Sequence, residues 1–161
     1  MSTRCHIIVE DPQQGDETIL YRHSDGYPQG PHGVLATLVP FVARFMKYRG
    51  WDACYLGAQI MCDQINRSRA GMRAYCEKSI AKDKEAGREP SSYDVERLAN
   101  VDNDFLGFGI SSQIHGDVEF IYRVTSEGIN VEDSRGNVKT TSEEARAMLE
   151  GVIPERYQEQ D

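Results

Sequence analysis

The sequence predicts an α+β protein, with one antiparallel sheet of about five strands packed against two long helices. Three observations carry this. Apolar and polar residues alternate near both ends of the chain, at 4–10, 18–23, 105–113, 118–124 and 129–132. Between residues 34 and 80 the apolar positions recur at three- and four-residue steps instead. Strands thus gather at the ends and helices in the middle, which is not the order of a repeating βαβ unit.

The first strand, 4–10, places Cys5, Ile7 and Val9 on one face and His6, Ile8 and Glu10 on the other. Asp11-Pro12-Gln13-Gln14-Gly15-Asp16 is a turn by composition, so 18–23 returns as the second arm of a hairpin. On that arm Ile19, Tyr21 and His23 share a face, and Leu20 and Arg22 share the opposite one. Leu35, Leu38, Val39, Val42, Phe45 and Met46 form the stripe of a helix that Gly50 ends. Pro40 inside it is expected to kink or split it.

Asp52 is placed to cap the second helix, whose apolar positions are Tyr55, Ala58, Cys62, Ile65, Met72, Cys76 and Ile80. A break is expected near Gly71. Ser91 or Ser92 opens a short helix through Leu98. The segments 105–113, 118–124 and 129–132 then read as a three-strand meander, joined at Ile114-His115-Gly116-Asp117 and Ser126-Glu127-Gly128. Thr141-Ser142-Glu143-Glu144 fits a capping box for a last short helix, with Ala145, Met148 and Leu149 inward. The final residues are expected to fray. The whole, 1–161, reads as a single α+β domain, long enough to bury a core without staples.

Composition excludes several classes. No apolar run approaches the roughly 20 residues of a membrane span. The start, Met-Ser-Thr-Arg-Cys-His, lacks the apolar segment of a signal peptide, so a cytoplasmic setting is expected. Cys5, Cys54, Cys62 and Cys76 form no C-x-x-C pair, which argues against a zinc ribbon. Cys62 and Cys76 read as small buried thiols, leaving Cys5 or Cys54 for any thiol chemistry. Net charge is −8: residues 1–100 carry 13 Lys/Arg against 13 Asp/Glu, and the rest 5 against 13. That excess opposes tight nucleic-acid binding and would suit a basic protein partner.

The stretch 19–33, Ile-Leu-Tyr-Arg-His-Ser-Asp-Gly-Tyr-Pro-Gln-Gly-Pro-His-Gly, concentrates chemistry between a strand and a helix. His23 and Asp25 are echoed by His115 and Asp117, each His two residues before an Asp at a strand end. If the chain is an enzyme, these four are its candidate catalytic groups, since a His beside a carboxylate suits acid–base work. The plainer account is that both Asp residues serve turns. No metal and no cofactor is expected, and the P-loop, nucleophile-elbow, HExxH and EF-hand patterns are missing. Tyr21, Tyr27, Trp51, Tyr55 and Tyr122 offer stacking faces, and Arg22 or Arg123 a phosphate contact, a combination that suits a nucleotide. Gly107 and Gly109, with Ser111 and Gln113, leave one face of their strand shallow.

The octapeptide Tyr21-Arg22-His23-Ser24-Asp25-Gly26-Tyr27-Pro28, with the later Gly107-Phe108-Gly109-Ile110 and His115 to Tyr122, resembles a widespread set of small bacteriophage and prophage proteins. The likeness covers about half of the chain, 3–55 and 105–131, and its specific part is the octapeptide. It implies a phage setting, with the host cytoplasm as the compartment. Small phage proteins without enzyme motifs are often counter-defence factors. The leading expectation is therefore a protein that sequesters a small nucleotide-type immune signal, held by Arg22, His23, Asp25, Tyr27 and His115. The alternatives are an acidic protein that blocks a host defence protein or nuclease, and a hydrolase using the His/Asp residues. A symmetric homo-oligomer is expected.

Overall fold

The computed structural model describes residues 2–158; the expected fraying of the last residues concerns 159–161, outside the described range. Element order is β1 (Cys5–Asp11), β2 (Asp16–Arg22), α1 (Val34–Arg49), α2 (Ala53–Glu85), α3 (Ser92–Asn100), β3 (Phe108–Ser111), β4 (Phe120–Thr125), β5 (Gly128–Asp133) and α4 (Ser142–Leu149). The chain forms two compact units. The first holds residues 1–61 and 107–161, and the second 62–106.

The α+β class holds, but the sheet is mixed rather than antiparallel. Its order is β3-β2-β1-β4-β5. β1 and β2 form the expected hairpin, with Ile8 opposite Ile19. β4 and β5 form another. β4, however, lies parallel to β1, with Cys5 beside Phe120. The expected C-terminal meander is also broken. β3 pairs with β2, placing Tyr21 beside Gly109 and Leu20 beside Ile110. Residues 112–119 are therefore a crossover over one face of the sheet, not a hairpin turn. Strand pattern fixes which residues share a face but is silent on which strand lies alongside, and here two distant pairings won.

One face carries the main core. Cys5, Ile7, Val9, Leu20, Tyr122, Val124, Ile129 and Val131 meet Val34, Leu35, Leu38, Val39, Val42 and Phe45 of α1 and Leu56 and Ile60 of α2. Helix α1 runs unbroken through Pro40, which lies on its exposed side. Gly50 closes it, its N–H donating to the Met46 carbonyl. Asp52 Oδ1 accepts from the Tyr55 N–H, the cap expected for α2. The α4 capping box forms in both directions between Thr141 and Glu144.

The opposite face holds a smaller cluster, Ile8, Ile19, Val118 and Ile121, with Tyr21 packed against it. Val118 comes from the crossover, so that segment roofs part of the sheet. The second unit contains residues 62–85 of α2 with α3. There Cys76 and Val101 are buried, Ser79 donates to Asp94, and Arg73 grips Asp102 with two bonds from one nitrogen. Helix α2 is continuous through Gly71. Cys62 is exposed, against the buried reading of its stripe position.

Candidate functional site

Alternation puts His6 and Tyr21 on the roofed face, cross-strand neighbours in the β1–β2 hairpin. His23 follows Tyr21 by two residues and keeps its side; its N–H donates to the Gly107 carbonyl, extending the β2–β3 ladder. The crossover brings His115 to the same place. Ring centroids separate His6 and His115 by 5.0 Å, Tyr21 and His115 by 5.2 Å, and Tyr21 and His23 by 6.2 Å. His23 and His115, from distant segments, thus flank one tyrosine.

Hydrogen bonds set the protonation of this cluster. His6 is fully buried. Its Nδ1 lies 3.1 Å from the Leu20 carbonyl, which can only accept, so Nδ1 carries the proton. Its Nε2 accepts from the His115 backbone N–H at 3.0 Å, so it carries none. The bond accepted at Nε2 requires the neutral ring, and burial, outweighing the Leu20 bond, lowers the pKa of His6 below its usual 6.5. Ser111 Oγ donates to the Gln113 carbonyl and sits 2.9 Å from His115 Nε2, which makes the imidazole the donor of that pair. Tyr21 Oη and His23 Nδ1 are 3.0 Å apart.

The carboxylates of the two His-x-Asp pairs go elsewhere. Asp117 forms an ion pair with Arg4, 2.6 Å from its Nη1. Asp25 is exposed, the one non-glycine among the described residues with a left-handed backbone, φ 54°. Neither is hydrogen-bonded to His23 or His115. Among the described residues no group of three or more His, Cys, Asp and Glu is arranged to hold a metal.

Arg22 and Tyr27 also part from the histidines. Arg22 is paired with Cys5 and Phe108 in register, on the helix side of the sheet. Its guanidinium lies over the Phe108 ring, and its Nε donates to the Ser24 carbonyl. Tyr27 is half-buried, and its carbonyl accepts from Val34 at the start of α1. The loop between them is tied down at Gly26. Its N–H donates to Thr3, and its carbonyl accepts from the buried Tyr122 hydroxyl at 2.7 Å. A Cβ on Gly26 would meet the Arg4 carbonyl carbon at 2.8 Å, so the octapeptide's glycine is a docking requirement. Burial, with the neighbouring Cys5 as a lesser cause, raises the pKa of the Tyr122 hydroxyl.

The other candidates are committed to the framework. Arg123 lies between Glu10 and Glu132 at 3.0 and 2.9 Å, and Trp51 donates its indole N–H to Asp11. Burial pushes the Cys5 thiol up to about 12, which removes it as a nucleophile at neutral pH. The open hollows of the first unit lie away from the histidine cluster. One of about 400 Å³ borders Ser142, Glu143 and Arg146; another, about 230 Å³, lies between Phe41, Arg44, Tyr48 and Tyr55. The histidine cluster is more informative than any of them, because its polar groups come from three separate segments and converge on one ring. Sequence reading missed His6 and Arg4 there, although alternation already put His6 on the right face.

What the arrangement forms is a wall and a floor. Tyr21 on β2, His23 just beyond it and His115 on the crossover form the wall; beside them Gly109 on β3 and Gly107 just before it carry no side chains. Compared with known protein families, curated proteins and solved structures, the chain matches none. Among the described residues no helix is long and apolar enough to cross a membrane.

Proposed function

We propose that this protein binds a small nucleotide-type ligand and holds it without turning it over, as a phage counter-defence factor that sequesters a nucleotide immune signal in the host cytoplasm. The observation that carries the reading is the convergence of His23 and His115 on Tyr21 beside the bare Gly107–Gly109 strand. A planar base stacks on Tyr21, His23 reaches phosphate or base edges, and the second ring nitrogen of His115 accepts from a base amine. Arg4, ion-paired with Asp117, sets a positive charge against the crossover. Holding is favoured over cleavage because neither histidine has a carboxylate partner to make it a strong general base. The phage setting rests on the octapeptide's resemblance.

The test is calorimetric titration against a panel of cyclic dinucleotides and linear dinucleotides, with mass spectrometry of the ligand afterwards. Tyr21→Ala is expected to lose about 1–3 kcal/mol of binding, the range for one base–aromatic stack. His23→Ala and His115→Ala are each expected to weaken binding about tenfold. Unchanged affinity in all three variants removes the site. Consumption of the ligand replaces holding with hydrolysis. If no nucleotide binds and a host defence protein is captured instead, the protein-blocking alternative takes over.

A further inference from the structure

The candidate site has one wall and an open side. β3 is the last strand of the sheet, paired only with β2. His23 N–H donates to Gly107, so by antiparallel alternation Gly107, Gly109 and Ser111 bond to β2. Phe108 and Ile110 therefore aim their backbone N–H and C=O groups outward. Ile110 is 76 % exposed. The opposite edge, β5, is covered by its own chain, through a bridge from Glu132 to Val138 and a bond from Lys139 N–H to the Val131 carbonyl.

Natural edges are guarded by charge, proline or a bulge. This one is not. From Phe105 to Gly116 there is no Asp, Glu, Lys, Arg or Pro, in a chain of net charge −8. At a two-fold axis a residue meets its own copy, so an uncharged stretch there avoids like-charge repulsion and offers nothing to a charged partner. That argues for a second copy of this chain, and against a charged partner.

We propose that β3 pairs antiparallel with β3 of a second copy, with the two-fold axis at Gly109, and that the two copies share one ligand site. In this register Phe108 of each copy exchanges both backbone bonds with Ile110 of the other. Gly109 faces Gly109 at the axis. The faces match, so each copy's Tyr21 stands on the same side of the continuous sheet. The two tyrosines are three strand spacings apart, about 14 Å. Between them lies a floor made by Gly109 of each copy, flanked by Gly107, over which His23 stands. The open side of each site is closed by the other's wall. Resting on the nucleotide reading above, this selects a ligand with two planar rings related by two-fold symmetry, one ring against each Tyr21.

Sedimentation velocity at micromolar concentrations is expected to show a dimer. Ile110→Pro deletes an outward N–H and spares the bonds to β2. Ile110→Lys sets two like charges diagonally across the axis, about 7–8 Å apart. Both variants are expected to be monomers with unchanged circular dichroism, and the second stands in should the first misfold. A monomeric wild type, or a dimer surviving both variants, overturns the interface. Cyclic di-AMP and cyclic di-GMP are the probes for the shared site. Expected is one ligand per two chains, with affinity falling roughly a hundredfold or more in the monomeric variants. Equal binding, one ligand per chain, in wild type and monomers overturns the shared site and leaves the nucleotide reading standing. A dimer broken by both variants, with no binding of either probe to wild type, upholds the interface and overturns the nucleotide reading.

Discussion

The backbone N–H of His115 donates to Nε2 of His6 across 3.0 Å, joining residues 109 apart in sequence. One bond pins the crossover to the sheet and fixes the imidazole's tautomer. It also makes the fold depend on His6 remaining neutral, because a protonated Nε2 cannot accept.

Stability should therefore fall on acidification. The folded pKa of His6 lies below the unfolded 6.5, so between the two values the unfolded chain holds a proton that the folded chain refuses. The contribution is fully present above pH 6.5 and is lost as pH drops through the folded value. Urea midpoints measured from pH 7.5 to 5 should decline. His6→Gln, which keeps a donor and an acceptor, should flatten that decline while lowering stability overall. An equal pH slope in both proteins would remove His6 as its cause.

Arg123 should be structural rather than a phosphate contact. Glu132 is 7 % exposed and depends on it, and the carboxylate's hydrogen bond holds the Arg123 pKa above its usual value. Arg123→Met should cost about 3 kcal/mol, near the lower end for orphaning a buried charge, since Arg123 keeps some exposure. Arg123→Met with Glu132→Met should be milder than the single change. Chemical denaturation of the two variants checks the order; ligand affinity, measured alongside, should stay unchanged in the double variant.

The faces of these strands were legible in the sequence and their neighbours were not. Alternation separated Cys5, Ile7 and Val9 from His6 and Ile8 correctly, and the Thr141–Glu144 capping box is local chemistry that reads directly. The pairing of Tyr21 with Gly109 is long-range, and nothing within either segment encodes it. Ile114-His115-Gly116-Asp117 looks like a hairpin turn because Gly and Asp favour turns. It becomes a crossover because His115 bonds His6 and Val118 packs on Ile8, Ile19 and Ile121. The approach of His23 to His115 follows from that route alone. The octapeptide contains Tyr21 and His23 of the cluster, yet Gly26 and Tyr27 in it serve to dock the loop, and Arg22 points to the helix side.

Thiol chemistry should sort the cysteines by burial. Cys54 and Cys62 are exposed, and Cys5 and Cys76 are buried. With a thiol-specific reagent at pH 8, two groups should react promptly in the folded protein and the other two only on unfolding. Mass mapping should place the fast pair at Cys54 and Cys62. Prompt modification of Cys5 would contradict both its burial and the raised pKa that burial causes.

The glycines separate docking from binding. A Cβ on Gly26 would lie 2.8 Å from backbone of Arg4 and 2.9 Å from the Cys5 side chain. Gly26→Ala should therefore cost about 1–3 kcal/mol, the range for overpacking. Tyr122→Phe should cost a similar 1–3 kcal/mol, by leaving the Gly26 carbonyl without its donor. Gly109 has nothing within 4 Å of its Cβ position, and its φ is ordinary. Gly109→Ala should thus leave stability unchanged or raise it slightly, by reducing the freedom of the unfolded chain. Its methyl would nevertheless stand on the floor beside Tyr21, and nucleotide affinity should drop. Gly107→Ala is intermediate, since its Cβ would press on the His23 side chain at 2.7 Å. Thermal melts and titrations on the three glycine variants decide the matter. Weakened binding with an intact melt in Gly109→Ala locates the ligand on β3; full affinity in that variant moves the ligand off the floor.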